Sequence, residues 1–184
     1  MAAPLPWTKI GRRDRAILEL LYGSGLRIGE TVRADVSDLD ASVDTSKPAT
    51  TWTGKRDRVV PVPGRAAVAL ELYLCHSRPA LAKSGDPALF LATHGRRLQG
   101  PGLRLQVRKH GRRIGVALTP HALRHTCATH LLRGGAGIRH VQELLGHRRL
   151  TTTALYARVA VHDLRQVIAR CHPRERTRQR RLRR

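Results

Sequence analysis

The chain of 184 residues carries 35 Lys and Arg against 13 Asp and Glu, a formal net charge of +22, with 41% hydrophobic residues. That apolar fraction excludes a disordered basic tail protein, and only 3% aromatic residues means that the core must be aliphatic. The charge makes an anionic polymer the expected partner, nucleic acid ahead of a membrane surface, and no apolar run approaches membrane-spanning length.

From Arg13 to Tyr22, Ile17, Leu20 and Leu21 share one helical face, and Gly23-Ser24-Gly25 breaks the pattern. A second helix is predicted from Leu26 through Val32. The stretch from Asp35 to Val62 loses the helical period and gains Thr, Val and turn residues. Two strands are predicted there, over residues 50–53 and 58–62, joined around Gly54-Lys55-Arg56-Asp57. Pro61 confines its strand to an edge, so the expectation is a small exposed sheet. A helix over Ala66 to Cys75, a short strand over Ala88 to Ala92 and a helix after Pro101 follow. Thr119-Pro120 is a helix start, with Thr as the cap and Pro in the first turn, and that helix ends at Gly134-Gly135. Ile138 to Leu145 makes the next helix, stopped by Gly146. Thr151 caps a short helix carrying Tyr156, and Val161, Leu164, Val167 and Ile168 give a last, amphipathic one. The fold class is α+β, mainly α-helical, with a small antiparallel β-sheet, in one domain over residues 1–173. The run from Arg174 to Arg184 reads as a basic, disordered tail.

Cys75, Cys127 and Cys171 are odd in number and scattered, which argues against a disulfide framework or a CxxC metal site. The opening residues lack a secretory apolar segment, so a reducing, cytoplasmic setting is expected. His121 and His125 have HxxxH spacing, but no intervening Glu and no acidic third ligand accompany them, so no metal is expected. No GxxxxGK[ST] phosphate loop occurs.

Cations and imidazoles gather instead at element ends, beside one tyrosine. Arg27 follows the glycine-rich break. His121 and Arg124 lie three apart on one helix, so both can face one ligand. His147 follows the helix-stopping Gly146, and Tyr156 comes nine residues later. Arg offsets the charge of a phosphodiester, His moves protons and Tyr can attack. Singly, each has a plain structural reading: HxxR is common on solvated helices, and a lone Tyr is more often a core residue than a nucleophile.

Together the segments are far more specific. Leu21-Tyr22-Gly23-Ser24-Gly25-Leu26-Arg27-Ile28-Gly29-Glu30, His121-Ala122-Leu123-Arg124-His125, Leu144-Leu145-Gly146-His147 and Thr151-Thr152-Thr153-Ala154-Leu155-Tyr156 occur in this order. In motif, order and spacing the chain resembles the catalytic domain of tyrosine recombinases, the phage integrase and Xer-like family, from about Arg13 to Pro173. The resemblance implies that Arg27 and Arg124 clamp the scissile phosphate of double-stranded DNA, with Glu30 supporting the first Arg. It implies Tyr156 as the nucleophile, giving a 3′-phosphotyrosine, His121 assisting proton transfer and His147 hydrogen-bonding the phosphate. No cofactor is implied. Type IB topoisomerases share this chemistry, and a non-catalytic DNA-binding relic would share the fold.

Two departures from the family pattern stand out. The family's β-hairpin lysine, the general acid, sits about five residues before an Arg that precedes a VP-like pair. Here Arg58-Val59-Val60-Pro61 fits the later part, but Thr53 occupies the lysine's place, leaving Lys55 as the only hairpin candidate. A contact between a turn-tip Lys55 and a phosphate is the alternative. The second departure is the N-terminal core-binding domain, which is expected to be absent here. The resemblance also implies self-association on DNA as a tetramer, with the helix over 161–171 docking on a neighbour; packing on its own domain is the equal alternative. A bacterial nucleoid, phage or mobile-element context goes with it.

Overall fold

The computed structural model describes residues 7–40, 51–54, 58–83, 85–146 and 154–175, with the side chains of 40, 54, 58 and 154–162 outside that description. Helix α1 (Lys9–Gly23) is the central element. Thr8 caps it by accepting the Gly11 N–H at 2.9 Å, and almost every residue from Arg13 to Gly23 is buried. Its apolar residues Ala16, Ile17, Leu20 and Leu21 lie in the core on all sides, which requires its polar ones to be satisfied internally. Arg13 does so by donating to Asp14 at 2.7 and 3.0 Å and to the Leu91 carbonyl at 2.9 Å.

Helix α2 (Ile28–Arg33) follows, and then a 3₁₀ turn (Val36–Asp38) leads into strand β1 (Leu39–Asp40). Strands β2 (Thr51–Gly54) and β3 (Arg58–Pro61) complete an antiparallel sheet in the order β1-β2-β3, with Leu39 opposite Trp52 and Trp52 opposite Val60. Pro61 lies on an edge strand, as its missing N–H demands. The sheet is only partly exposed, however. Period-2 alternation turns Trp52 and its cross-strand partner Val60 inward, and on the other face Thr51 is buried while Thr53 is exposed. The two-residue β1 was not anticipated, being too short to show an alternation. The strand expected over residues 88–92 is reduced to isolated bridges, Asp35 with Ala88 and Leu91 with Arg97. That apolar run is core filling rather than a strand: Leu89, Phe90 and Leu91 are all fully or nearly fully buried.

Helices α3 (Gly64–His76) and α4 (Gly100–Arg112) pack beside α1, α3 most extensively. Helices α5 (Pro120–Arg133) and α6 (Ile138–Leu145) have the bounds that their cap residues predict. Helix α7 (Ala154–Cys171) is continuous, where the sequence suggested two helices. No glycine or proline interrupts residues 154–171, so nothing in the backbone ends the first piece. Its inner face buries Leu164, Ile168 and Cys171 on its own domain, against α5, α6 and β3. Of the apolar stripe, Leu164, Val167 and Ile168 pack on their own domain, and the side chain of Val161 lies outside the described ones. Of the basic run expected as a tail, Arg174 forms an ion pair with the buried Glu19 of α1, and residues 176–184 lie outside the described ones.

Among the described residues, no helix is long and apolar enough to cross a membrane, and no cluster of His, Cys, Asp or Glu could hold a metal ion. All three cysteines are free thiols. Burial pushes the Cys127 thiol up to about 12, so it serves as a small apolar side chain.

Candidate active site

The site is assembled where the end of α1, the start of α5 and the end of α6 meet. Gly23-Ser24-Gly25 ends α1, and Ser24 Oγ ties the break to β3 by donating to the Pro61 carbonyl at 3.0 Å. Gly25 turns the chain through a left-handed conformation, φ +60°, and lies so near α6 that a Cβ would sit 2.9 Å from Leu145 Cδ2. Only glycine fits both demands.

Arg27 then emerges as the N-cap of α2, its side chain 49% exposed. Glu30, one turn on, holds it twice. The Glu30 carboxylate accepts the Arg27 backbone N–H at 2.6 Å and lies 3.4 Å from its guanidinium. An acid in the first turn of a helix is favoured by the positive end of the dipole, so α2 places Glu30 at little cost.

Helix α5 opens with Thr119 accepting the Ala122 N–H at 3.0 Å, and Pro120 occupies its first turn. The opening turn carries His121, which is exposed, and Arg124, which is half-buried. The Arg124 guanidinium donates to the carbonyls of Gly25 and Leu145. Arg27 donates from Nη2 to the carbonyl of Gly146, at 2.9 Å. The two arginines thus reach consecutive carbonyls at the C-terminal end of α6. These oxygens have no intrahelical donor and carry the negative end of the helix dipole, so guanidinium groups are their natural partners. Gly146 ends α6 in a left-handed conformation, φ +63° and ψ +51°, with its N–H returned to the carbonyls of Gln142 and Glu143.

Of the residues predicted for the site, Arg27, Glu30 and Arg124 are therefore brought to one helix end, and His121 is exposed one turn before Arg124 on α5. Tyr156 belongs to the first turn of α7, a helix packed against α5 and α6, and its side chain is not among those described. Lys55 and His147 lie outside the described residues. Sequence reasoning missed the part played by the Gly25, Leu145 and Gly146 carbonyls. Gly25 and Gly146 were visible as helix breaks, but spacing alone does not say which side chain a terminal carbonyl accepts.

Residues 2–163 match the phage integrase family. Tyrosine recombinase XerC of Pelotomaculum thermopropionicum is 43% identical over 181 residues, covering 94% of this chain and 58% of that protein. Tyrosine recombinase XerD of Mycobacterium tuberculosis is 47% identical over 171 residues, covering 89% of this chain and 53% of its own length. Among solved structures, the XerA recombinase superposes with a TM-score of 0.64 at 28% identity, over 88% of this chain and 59% of that one. The chain thus spans just over half the length of these relatives. With the glycine break, the HxxR turn and the α6 end all in the matched segment, the chain belongs to the phage integrase family.

Proposed function

We propose that this chain cleaves and rejoins double-stranded DNA as a site-specific tyrosine recombinase. The observation that supports this reading best is the convergence of Arg27 and Arg124, from helices far apart in sequence, at the end of α6, beside the helix that carries Tyr156. Two guanidinium groups at one helix end, one exposed and one half-buried, suit a phosphodiester, whose non-bridging oxygens accept paired N–H donors.

In the proposed reaction the Tyr156 phenolic oxygen attacks the scissile phosphorus, and the bond to the 5′-oxygen breaks. The products are a 3′-phosphotyrosine and a free 5′-hydroxyl. His121 assists removal of the phenolic proton, and Lys55 supplies the proton that the departing 5′-oxygen takes up. Arg27, Arg124 and His147 stabilise the charge that builds on the phosphoryl oxygens. Glu30 keeps Arg27 in place. One phosphoester replaces another, so the bond energy is conserved and the reverse attack by a 5′-hydroxyl reseals the strand. Positioning and electrostatics carry the rate.

Assembly into a tetramer on DNA and action in the cytoplasm belong to the same proposal. The relatives' names support recombination over topoisomerase-like relaxation. The test is incubation of the protein with nicked duplexes containing a randomised inner segment, followed by a denaturing gel. A DNA-linked protein band that converts to exchanged strands when a second duplex is supplied supports the reading. A band that only relaxes supercoiled DNA would assign the topoisomerase activity, and no band at all would leave a DNA-binding module.

A further inference from the structure

The arginines are not held by acidic partners alone. Arg124 is held by the carbonyls of Gly25 and Leu145, and Arg27 by that of Gly146 as well as by Glu30. Leu145 and Gly146 are successive residues, so one peptide segment sets the spacing between the two guanidinium groups. The segment is itself fixed twice over. Gly146 takes the left-handed conformation that turns the chain out of α6, and Leu145 Cδ2 would lie 2.9 Å from a Cβ added to Gly25.

We propose that the C-terminal end of α6 is the template that aligns Arg27 with Arg124, and that Gly146 and Gly25 are positioning residues for the phosphate clamp. This rests on the phosphodiester reading given above. The carbonyls hold the arginines in register before any substrate arrives, so the cost of ordering two long side chains is met on folding rather than on binding. Substitution at Gly146 then acts on the rate through the arginines, without touching substrate.

Alanine at Gly146 must adopt a disfavoured left-handed backbone or unwind the helix end and move both carbonyls, whereas asparagine tolerates that conformation. The full chain is compared as wild type, Gly146→Ala, Gly146→Asn and Gly115→Ala. Gly115 has φ +66° with nothing within 4 Å of an added Cβ, so it matches the backbone strain at a position that holds neither arginine. Two readouts are taken. One is the rate of covalent complex formation on nicked duplex at saturation, and the other is the NMR signals of the Arg27 and Arg124 Nη groups in the free protein, assigned through Arg→Lys variants.

Gly146→Ala is expected to slow the reaction by about 10²-fold, the effect of misplacing a catalytic group by an ångström, and to average the Nη signals through faster rotation. Gly146→Asn recovers most of the rate and the resolved signals, and Gly115→Ala behaves as wild type. The proposal is overturned if Asn is as impaired as Ala, if Gly115→Ala is equally slow, or if Gly146→Ala leaves rate or Nη signals unchanged. A wild-type chain that forms no covalent complex would overturn the transesterification reading instead, while the Nη signals still test the alignment.

Discussion

In the proposed reaction Arg27 and Arg124 do related work from unlike positions: one is an exposed N-cap, the other a half-buried residue on the first turns of a longer helix. Lys55 is the third cation in the proposed chemistry, and its role can be separated from theirs. If it protonates the departing 5′-oxygen, Lys55→Ala slows cleavage by about 10²- to 10⁴-fold. Replacing that oxygen with sulfur removes the need for an acid, so Lys55→Ala recovers on the sulfur substrate while Arg27→Ala and Arg124→Ala stay impaired. Equal defects of Lys55→Ala on both substrates would reduce Lys55 to a phosphate contact. At this scale the sequence was readable where placement rests on side-chain spacing, as with His121 and Arg124 one turn apart on α5. It was not readable where function rests on backbone oxygens, since the acceptors of Arg124 come from residues that any helix end could supply.

Capping signals located α5 and α6 well because their physics is local. Thr119 followed by Pro120 satisfies the first orphan N–H groups whatever the tertiary context, and Gly146 does the same for the last carbonyls. Thr119→Ala is therefore expected to cost about 1 kcal/mol, lowering Tm by about 2–4 °C, while Thr119→Ser stays near wild type. Unchanged melting in the Ala variant would mean that the start of α5 is held by packing rather than by its cap. The sheet and α7 were less legible for a different reason. Burial of the β2–β3 face depends on helices distant in sequence, and β1 is only two residues long. The continuity of α7 across residues 154–171 follows from packing on α5, α6 and β3, which no local period reports.

For the whole molecule, the ends of the chain's helical part are locked together by buried polar groups. His172, fully buried, packs its ring against that of Tyr22 at a tilt of 59° and a centroid separation of 4.8 Å, and the Tyr22 hydroxyl bonds to His130 Nδ1 at 2.8 Å. Arg174 closes the cluster onto Glu19. Burial lowers His172 from 6.5 to about 4, with His130 and Arg174 adding to the effect and Tyr22 opposing it. The fold therefore favours the neutral ring, and the unfolded chain takes up the proton more readily. The stabilisation is present above pH 6.5 and is lost as pH falls toward about 4. Between about pH 7 and about pH 5 this one group accounts for about 2 kcal/mol of lost stability. Urea melts should show His172→Phe losing less over that interval than wild type by about that amount. Equal losses would place the acid sensitivity elsewhere. A second buried cluster, Asp14 with Arg13 and with His110 Nε2 at 2.8 Å, joins α1 to α4 in the same manner. The sequence marked neither cluster, because residues far apart along the chain become partners only after folding.

Covalent trapping tests the proposed nucleophile most directly. Wild type and Tyr156→Phe are incubated with the same nicked duplexes, any adduct is digested with protease, and the linked peptide is identified by mass spectrometry. The expected result is an adduct on the peptide containing Tyr156 in wild type and none in Tyr156→Phe. Binding to intact duplex is unchanged by that substitution, since the cations that meet the phosphates remain. An adduct that persists in Tyr156→Phe, or one mapped to another residue, would contradict the assignment.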